Sequence, residues 1–175
     1  MKDIIIKDGE VVTPFTRSKA DILISKGIIQ AIGRNLDEKG KKVINAKGKL
    51  VLPGTIDAHT HMALPMKGTT SSDSFWTGTR AAACGGVTTI IDFTEMADGK
   101  GLLKAFRERK KMAQGQCAID WALHSCLRGW AKGSDAAIDR LIKEGVTSFK
   151  MFTVYGERGL MSGDGEIFEA LQATA

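Results

Sequence analysis

Leu52-Pro53-Gly54-Thr55-Ile56-Asp57-Ala58-His59-Thr60-His61 begins the part of the chain in which strand-like and helical patterns start to alternate, and it reads as a strand ending on two histidines. Side chains of an extended strand alternate between its faces, so Asp57, His59 and His61 are expected on one side and Ile56, Ala58 and Thr60 on the other. Two imidazoles on one face can converge on a single ion, and neutral imidazole is a good ligand for zinc and similar divalent metals. Two histidines alone leave such an ion short of ligands, so further donors must come from elsewhere.

Downstream, strand-like runs at residues 55–61, 87–93, 118–127 and 146–153 alternate with helical patterns at residues 74–84, 101–114 and 134–144, and a last helix opens near Asp164 within Gly163-Asp164-Gly165-Glu166. Ile138, Leu141 and Ile142 show the spacing that lets one helix face cover a sheet. Such alternation implies a parallel sheet, either doubly wound or closed as a (β/α)8 barrel. No Gly-x-Gly-x-x-Gly or P-loop follows a strand, and His59 and His61 fall at a strand's C-terminal end, where barrels keep their chemistry. The expected fold class is therefore α/β, a partial (β/α)8 TIM-type barrel of about four βα units, where a complete barrel takes about 250 residues. The final run, residues 167–175, has no stop signal and no following strand, so the chain is expected to be the front of a longer protein.

Upstream, Ile4-Ile5-Ile6, Val11-Val12, Ile22-Leu23-Ile24 and Ile28-Ile29 read as short strands, with Asp8-Gly9 and Lys26-Gly27 as hairpin turns. The expected domains are an all-β segment over residues 1–52 and a barrel portion over residues 53–175.

With 43% apolar and 26% charged residues in 175, the composition is that of a soluble globular protein. No stretch reads as a membrane span, and Met1-Lys2-Asp3-Ile4-Ile5-Ile6 is too short an apolar run for a signal peptide, so the cytosol is the expected compartment and no membrane partner is expected. Cys84, Cys117 and Cys126, odd in number and without a Cys-x-x-Cys pair, fit reduced buried thiols. Much of the net charge of +5 comes from Lys104, Arg107, Arg109, Lys110 and Lys111, which read as one solvated helix face, and no nucleic-acid partner is expected.

Lys150 is out of place in Val146-Thr147-Ser148-Phe149-Lys150-Met151-Phe152. Burying an ammonium is costly unless it is paired or neutralised. Either its amine snorkels out from an edge strand, or it pairs with Asp92 or Asp120, or it is carboxylated by CO2 to a carbamate whose two oxygens can bridge a pair of metal ions.

Together with Phe75-Trp76-Thr77-Gly78-Thr79-Arg80-Ala81-Ala82-Ala83, Gly85-Gly86-Val87-Thr88-Thr89-Ile90-Ile91-Asp92-Phe93 and Tyr155, these segments resemble the dihydropyrimidinase and hydantoinase branch of the amidohydrolase superfamily along nearly the whole chain. The resemblance implies that residues 1–52 are part of a small β-sandwich flanking the barrel. It implies that His59 and His61 bind the more buried of two divalent ions, usually zinc, and that Lys150, as N6-carboxylysine, bridges both. Tyr155 matches the tyrosine that in this branch binds substrate and hydrogen-bonds the developing oxyanion. The implied reaction is hydrolytic ring opening of a cyclic ureide such as dihydrouracil or hydantoin, by a homo-oligomer that is commonly a tetramer. Asp57 is expected to orient one of the histidines without binding metal itself, and His124 to be a core or rim residue. In the family two further metal-binding histidines and a catalytic aspartate come from later strands, so this chain alone is expected to be inactive. The alternatives are a non-catalytic dihydropyrimidinase-like assembly protein, or another cyclic amidase such as an allantoinase or dihydroorotase.

Overall fold

Ile4-Ile5-Ile6 and Val11-Val12 lie on one strand, β1 (Ile4–Val12), and not on two strands joined by a turn. In the computed structural model, which describes residues 3–66, 68–99 and 101–175 and of Met66 the backbone only, Asp8 is left-handed at φ 60° and the pairing with β2 (Arg17–Ser25) slips between Ile6 and Gly9. Asp8-Gly9 is thus a β-bulge. A bulge and a tight turn both call on residues that tolerate positive φ, which is why the dipeptide alone does not separate them. The bulge is held by Asp21, whose carboxylate accepts from the Asp8 amide at 3.0 Å and from Lys7 Nζ at 2.8 Å. A Cβ on Gly9 would meet Val51 Cγ2 at 2.6 Å, so glycine is needed for the close approach. Lys26-Gly27 does turn the chain, at φ 51° and 79°, joining β2 to β3 (Ile28–Gly33) in the left-handed pair that a two-residue hairpin favours. Both β4 (Lys42–Asn45) and β5 (Leu50–Val51) pair with β1 in parallel, giving the order β3-β2-β1-β4 with β5 also on β1. Val11, Ala20 and Ile22 form its buried face. This sheet lies in one compact unit, Met1–Pro53, and the remainder, Gly54–Ala175, forms a second.

The second unit begins with β6 (Thr55–Thr60), followed by a small hairpin of β7 (Pro65–Met66) and β8 (Thr69–Thr70). Then α1 (Phe75–Cys84), β9 (Val87–Phe93), α2 (Gly101–Ala113), β10 (Asp120–Cys126), α3 (Ser134–Lys143), β11 (Phe149–Lys150) and α4 (Asp164–Thr174) follow in strict alternation. All pairings in its main sheet are parallel, and the spatial order β6-β9-β10-β11 is the chain order. A doubly wound sheet reverses direction partway, whereas a barrel adds each strand beside the last, so this sheet is the first part of a barrel wall.

The helix starts follow from local chemistry. At the head of α1 the Ser74 hydroxyl accepts from the Thr77 amide at 3.2 Å and the Thr77 hydroxyl accepts from the Ser74 amide at 3.0 Å. One face of each helix is apolar and covers the sheet: Leu102 and Phe106 of α2, Ala137, Ile138 and Leu141 of α3, and Ala170 of α4 pack with Leu123, Leu127 and Val146. A second cluster joins Phe75, Ile90, Ala113 and Met62. The strand expected over residues 146–153 is reduced to Phe149–Lys150, because Val146 is drawn into the helical core with its amide on Leu141 O at 3.0 Å, and Phe152 turns to bridge Met161. Among the described residues, no helix is long and apolar enough to cross a membrane.

Candidate metal centre

His59 lies at the end of β6 and His61 one residue beyond it. Asp57 pairs with Ile90 and Thr60 with Asp92, so β6 spends one residue more than β9 over this stretch, and Ala58-His59 forms a bulge. The bulge interrupts strict alternation and re-aims His59. The two imidazoles converge: their Nε2 atoms are 3.2 Å apart. Two nitrogens bound to one tetrahedral zinc at about 2.0–2.1 Å stand about 3.3 Å from each other, so the pair has the bite that such an ion takes. Burial, and after it the neighbouring His59, push the His61 imidazole below its ordinary pKa, against a smaller opposing pull from Asp92. That favours the neutral form, which has the lone pair a metal needs. His61 Nδ1 is buried with no hydrogen-bond partner among the described residues, so the ring is held by packing and by its main chain.

The packing comes from Phe93, at the end of β9. Its ring centroid lies 4.6 Å from that of His59, 5.0 Å from that of His61 and 4.7 Å from that of His124. Lys150 Nζ sits 4.3 Å from the same centroid and 4.7 Å from that of Phe152. Neither Asp92 nor Asp120 pairs with this lysine: among the described residues its amine has no carboxylate within 4.0 Å. Asp92 is instead committed to Arg109, which is 2% exposed and thus not part of the solvated helix face expected for it.

Asp57 is exposed, and its carboxylate accepts from the main-chain amide of His59 at 3.1 Å, acting on the backbone of the histidine and not on its ring. His124 ties three strands together. Its Nε2 meets Ala58 O at 3.0 Å, within the bulge of β6, while Nδ1 bonds the Ser148 hydroxyl just before β11. A carbonyl only accepts, so Nε2 is the donor to Ala58 O. Tyr155 is 42% exposed, with a left-handed backbone at φ 68° that its own loop bonds retain: its carbonyl accepts from the Arg158 amide at 3.0 Å.

His59, His61, Lys150 and Tyr155 all line one cavity of about 690 Å³, together with Leu64, Met96 and Phe152. Among the described residues no three His, Cys, Asp or Glu side chains are grouped to hold a metal ion. Sequence reasoning did not single out Phe93 or the Asp92–Arg109 pair. Only the strand order Ile90-Ile91-Asp92-Phe93, with a charge set between apolar residues, carried a sign of them.

A sequence profile of the amidohydrolase family matches residues 50–174. The chain is 42% identical to a dihydropyrimidinase of Dictyostelium discoideum over 167 residues, covering 94% of this chain and 33% of that protein. It is 42% identical to a D-hydantoinase of Geobacillus stearothermophilus over 173 residues, covering 97% of this chain and 36% of that protein. A crystal structure of D-hydantoinase superposes on it with a TM-score of 0.91 at 40% identity, covering 98% of this chain and 37% of the other. The chain spans about a third of the length of the curated relatives it matches. With the profile running from β5 to the end of α4, through every strand of the barrel wall, the chain belongs to the amidohydrolase family.

Proposed function

We propose that this chain supplies the first ligands and the oxyanion donor of a metal-dependent hydrolase that opens cyclic amides of the dihydropyrimidine and hydantoin type. The observation that carries the reading is the meeting of His59 and His61, Nε2 to Nε2 at 3.2 Å, in the cavity that Lys150 and Tyr155 also line. His59 and His61 would hold one divalent ion, most simply zinc, and Lys150 as N6-carboxylysine would extend the site to a second. Carboxylation joins the lysine nitrogen, as the free amine, to the carbon of CO2; counted from the ammonium form two protons go to water, one on forming the amine and one on forming the carbamate, and the product is an anion with two donor oxygens. Bound divalent ions supply Lewis acidity and lower the pKa of water, so that a nucleophile exists at neutral pH. The Tyr155 hydroxyl would donate a hydrogen bond to the oxygen that gains charge as the ring carbonyl is attacked. The apolar lining of Leu64, Met96 and Phe152 would exclude bulk water around the substrate.

The same reading places the protein in the cytosol as a homo-oligomer, in line with three free cysteines. Retention of both histidines and of Lys150 favours hydrolysis over the role of a non-catalytic assembly relative. The test is ring opening of dihydrouracil and hydantoin by the protein isolated from its natural source. Turnover that a chelator abolishes, and that zinc with bicarbonate restores, is expected. Turnover indifferent to chelation, or none with either substrate in a metal-loaded sample, contradicts the proposal.

A further inference from the structure

We propose that the buried Asp92–Arg109 pair is the positioning device of the two histidines, fixing the spacing and angle at which they present their lone pairs; this rests on the metal-binding reading above. A metal-binding imidazole is ordinarily oriented by a hydrogen bond from its second nitrogen to a carboxylate or carbonyl. Among the described residues His61 has no such partner at Nδ1. What it has is a main chain held on both sides by one carboxylate. Asp92 Oδ2 accepts from the Thr60 hydroxyl at 3.1 Å and from the Met62 amide at 2.8 Å, the residues immediately before and after His61. Asp92 Oδ1 accepts from the Phe93 amide at 2.8 Å and from Arg109 Nε at 2.9 Å, and Arg109 Nη2 bonds both that oxygen and the Met62 carbonyl. Asp92 is 0% exposed and Arg109 2%, so neither has water to exchange with.

Strand geometry makes the device two-sided. Successive residues of β9 point to opposite faces, so Asp92 reaches the main chain around His61 from the helix side while Phe93 supports the rings of His59 and His61 from the cavity side. Compared with apolar packing a buried ion pair adds little net stability, whereas its bonds to fixed partners specify one geometry. Here the geometry specified is that of residues 60–62. Neither Asp92 nor Arg109 lines the cavity that holds the two histidines, so they act through Thr60 and Met62.

The experiment is titration of the metal-free full chain with Co2+, read by the visible absorption of ligand-bound cobalt, with thermal unfolding of the same samples beside it. Asp92→Asn is expected to weaken Co2+ binding by roughly 10–100-fold and to change the cobalt spectrum. Thr60→Val, which removes one hydroxyl and keeps the shape, is expected to weaken it by a smaller factor. Arg107→Met, which breaks the pair with Glu144 elsewhere on α2, is expected to leave both affinity and spectrum as they are. A purely structural role for Asp92 would lower the unfolding temperature without altering the spectrum of the folded, cobalt-loaded protein. Binding that His61→Ala abolishes but that neither Asp92→Asn nor Thr60→Val alters overturns the positioning role while the metal site stands. Binding that His61→Ala does not affect overturns the metal reading and the positioning role with it. If Asp92→Asn does not fold, Thr60→Val decides.

Discussion

Among the described residues Lys150 presents its amine to two aromatic rings and to no carboxylate, and the proposed second metal depends on this residue-scale fact. With 13C-labelled bicarbonate and zinc, a carbamate carbon signal is expected in NMR spectra of the wild-type chain and is expected to vanish in Lys150→Ala; a signal that persists in the variant assigns it to another amine. In the intact enzyme Tyr155→Phe is expected to leave bound metal unchanged and to lower kcat by roughly 10²-fold or more, the scale of losing one oxyanion donor. Equal metal content with unchanged kcat would remove Tyr155 from the reaction. The thiols offer a simpler check. Burial pushes Cys126 up to about 11 while Cys84 is exposed, so iodoacetamide at mild alkaline pH is expected to label Cys84 and spare Cys126, as read by mass spectrometry of peptides. At this scale the sequence showed what was local. His59 and His61 announce themselves by spacing, whereas the partners of Asp92 lie on β6 and α2, and no pattern within one element can show a bond between elements. Arg109 was misread for that reason, since on its own helix it sits among exposed cations.

Among the elements, β1 and β2 depend on a carboxylate. The Lys7 ammonium beside it holds Asp21 below the usual carboxylate range, the Asp8 and Leu36 amides add to this, and desolvation works against them. A lowered folded pKa means that the unfolded chain binds the proton more readily. The stability that Asp21 contributes is therefore fully present above the unfolded carboxyl pKa, about 3.9, and is lost as pH falls through the lower folded value. Asp21→Asn is expected to melt earlier than wild type at neutral pH and to converge with it in strong acid; a gap that is constant with pH would contradict the ion pair. On α3, Ile138 is fully buried in the core that includes Leu102, Leu127 and Ala170, and Ile138→Ala is expected to cost about 2–5 kcal/mol in chemical denaturation. The elements were largely legible because their signals are local: Ser74 and Thr77 cap α1, apolar spacing marks α2 and α3, and Lys26-Gly27 turns a hairpin. Asp8-Gly9 and the fourth barrel strand were not, since a bulge is settled by the partner strand and a strand's length by how far its neighbour pairs with it.

Across the whole second unit, parallel strands in chain order bring the ends of β6, β9, β10 and β11 to one side, and with them His59, Phe93, His124 and Lys150. No single element contains the site; the sheet assembles it. Metal that binds only the folded chain stabilises it by mass action, about 2.7 kcal/mol at a hundredfold excess over Kd. Zinc is accordingly expected to raise the melting temperature of the wild-type chain and not that of a His59→Ala, His61→Ala double variant, and an equal rise in both would place the zinc elsewhere. Anomalous diffraction at the zinc edge, from crystals soaked in zinc and bicarbonate, bears on the site without an intermediary. The expected result is a zinc peak bonded to Nε2 of both His59 and His61, with carbamate density on Lys150; zinc bound away from the two histidines, with Lys150 a free amine, would contradict the assignment of this site.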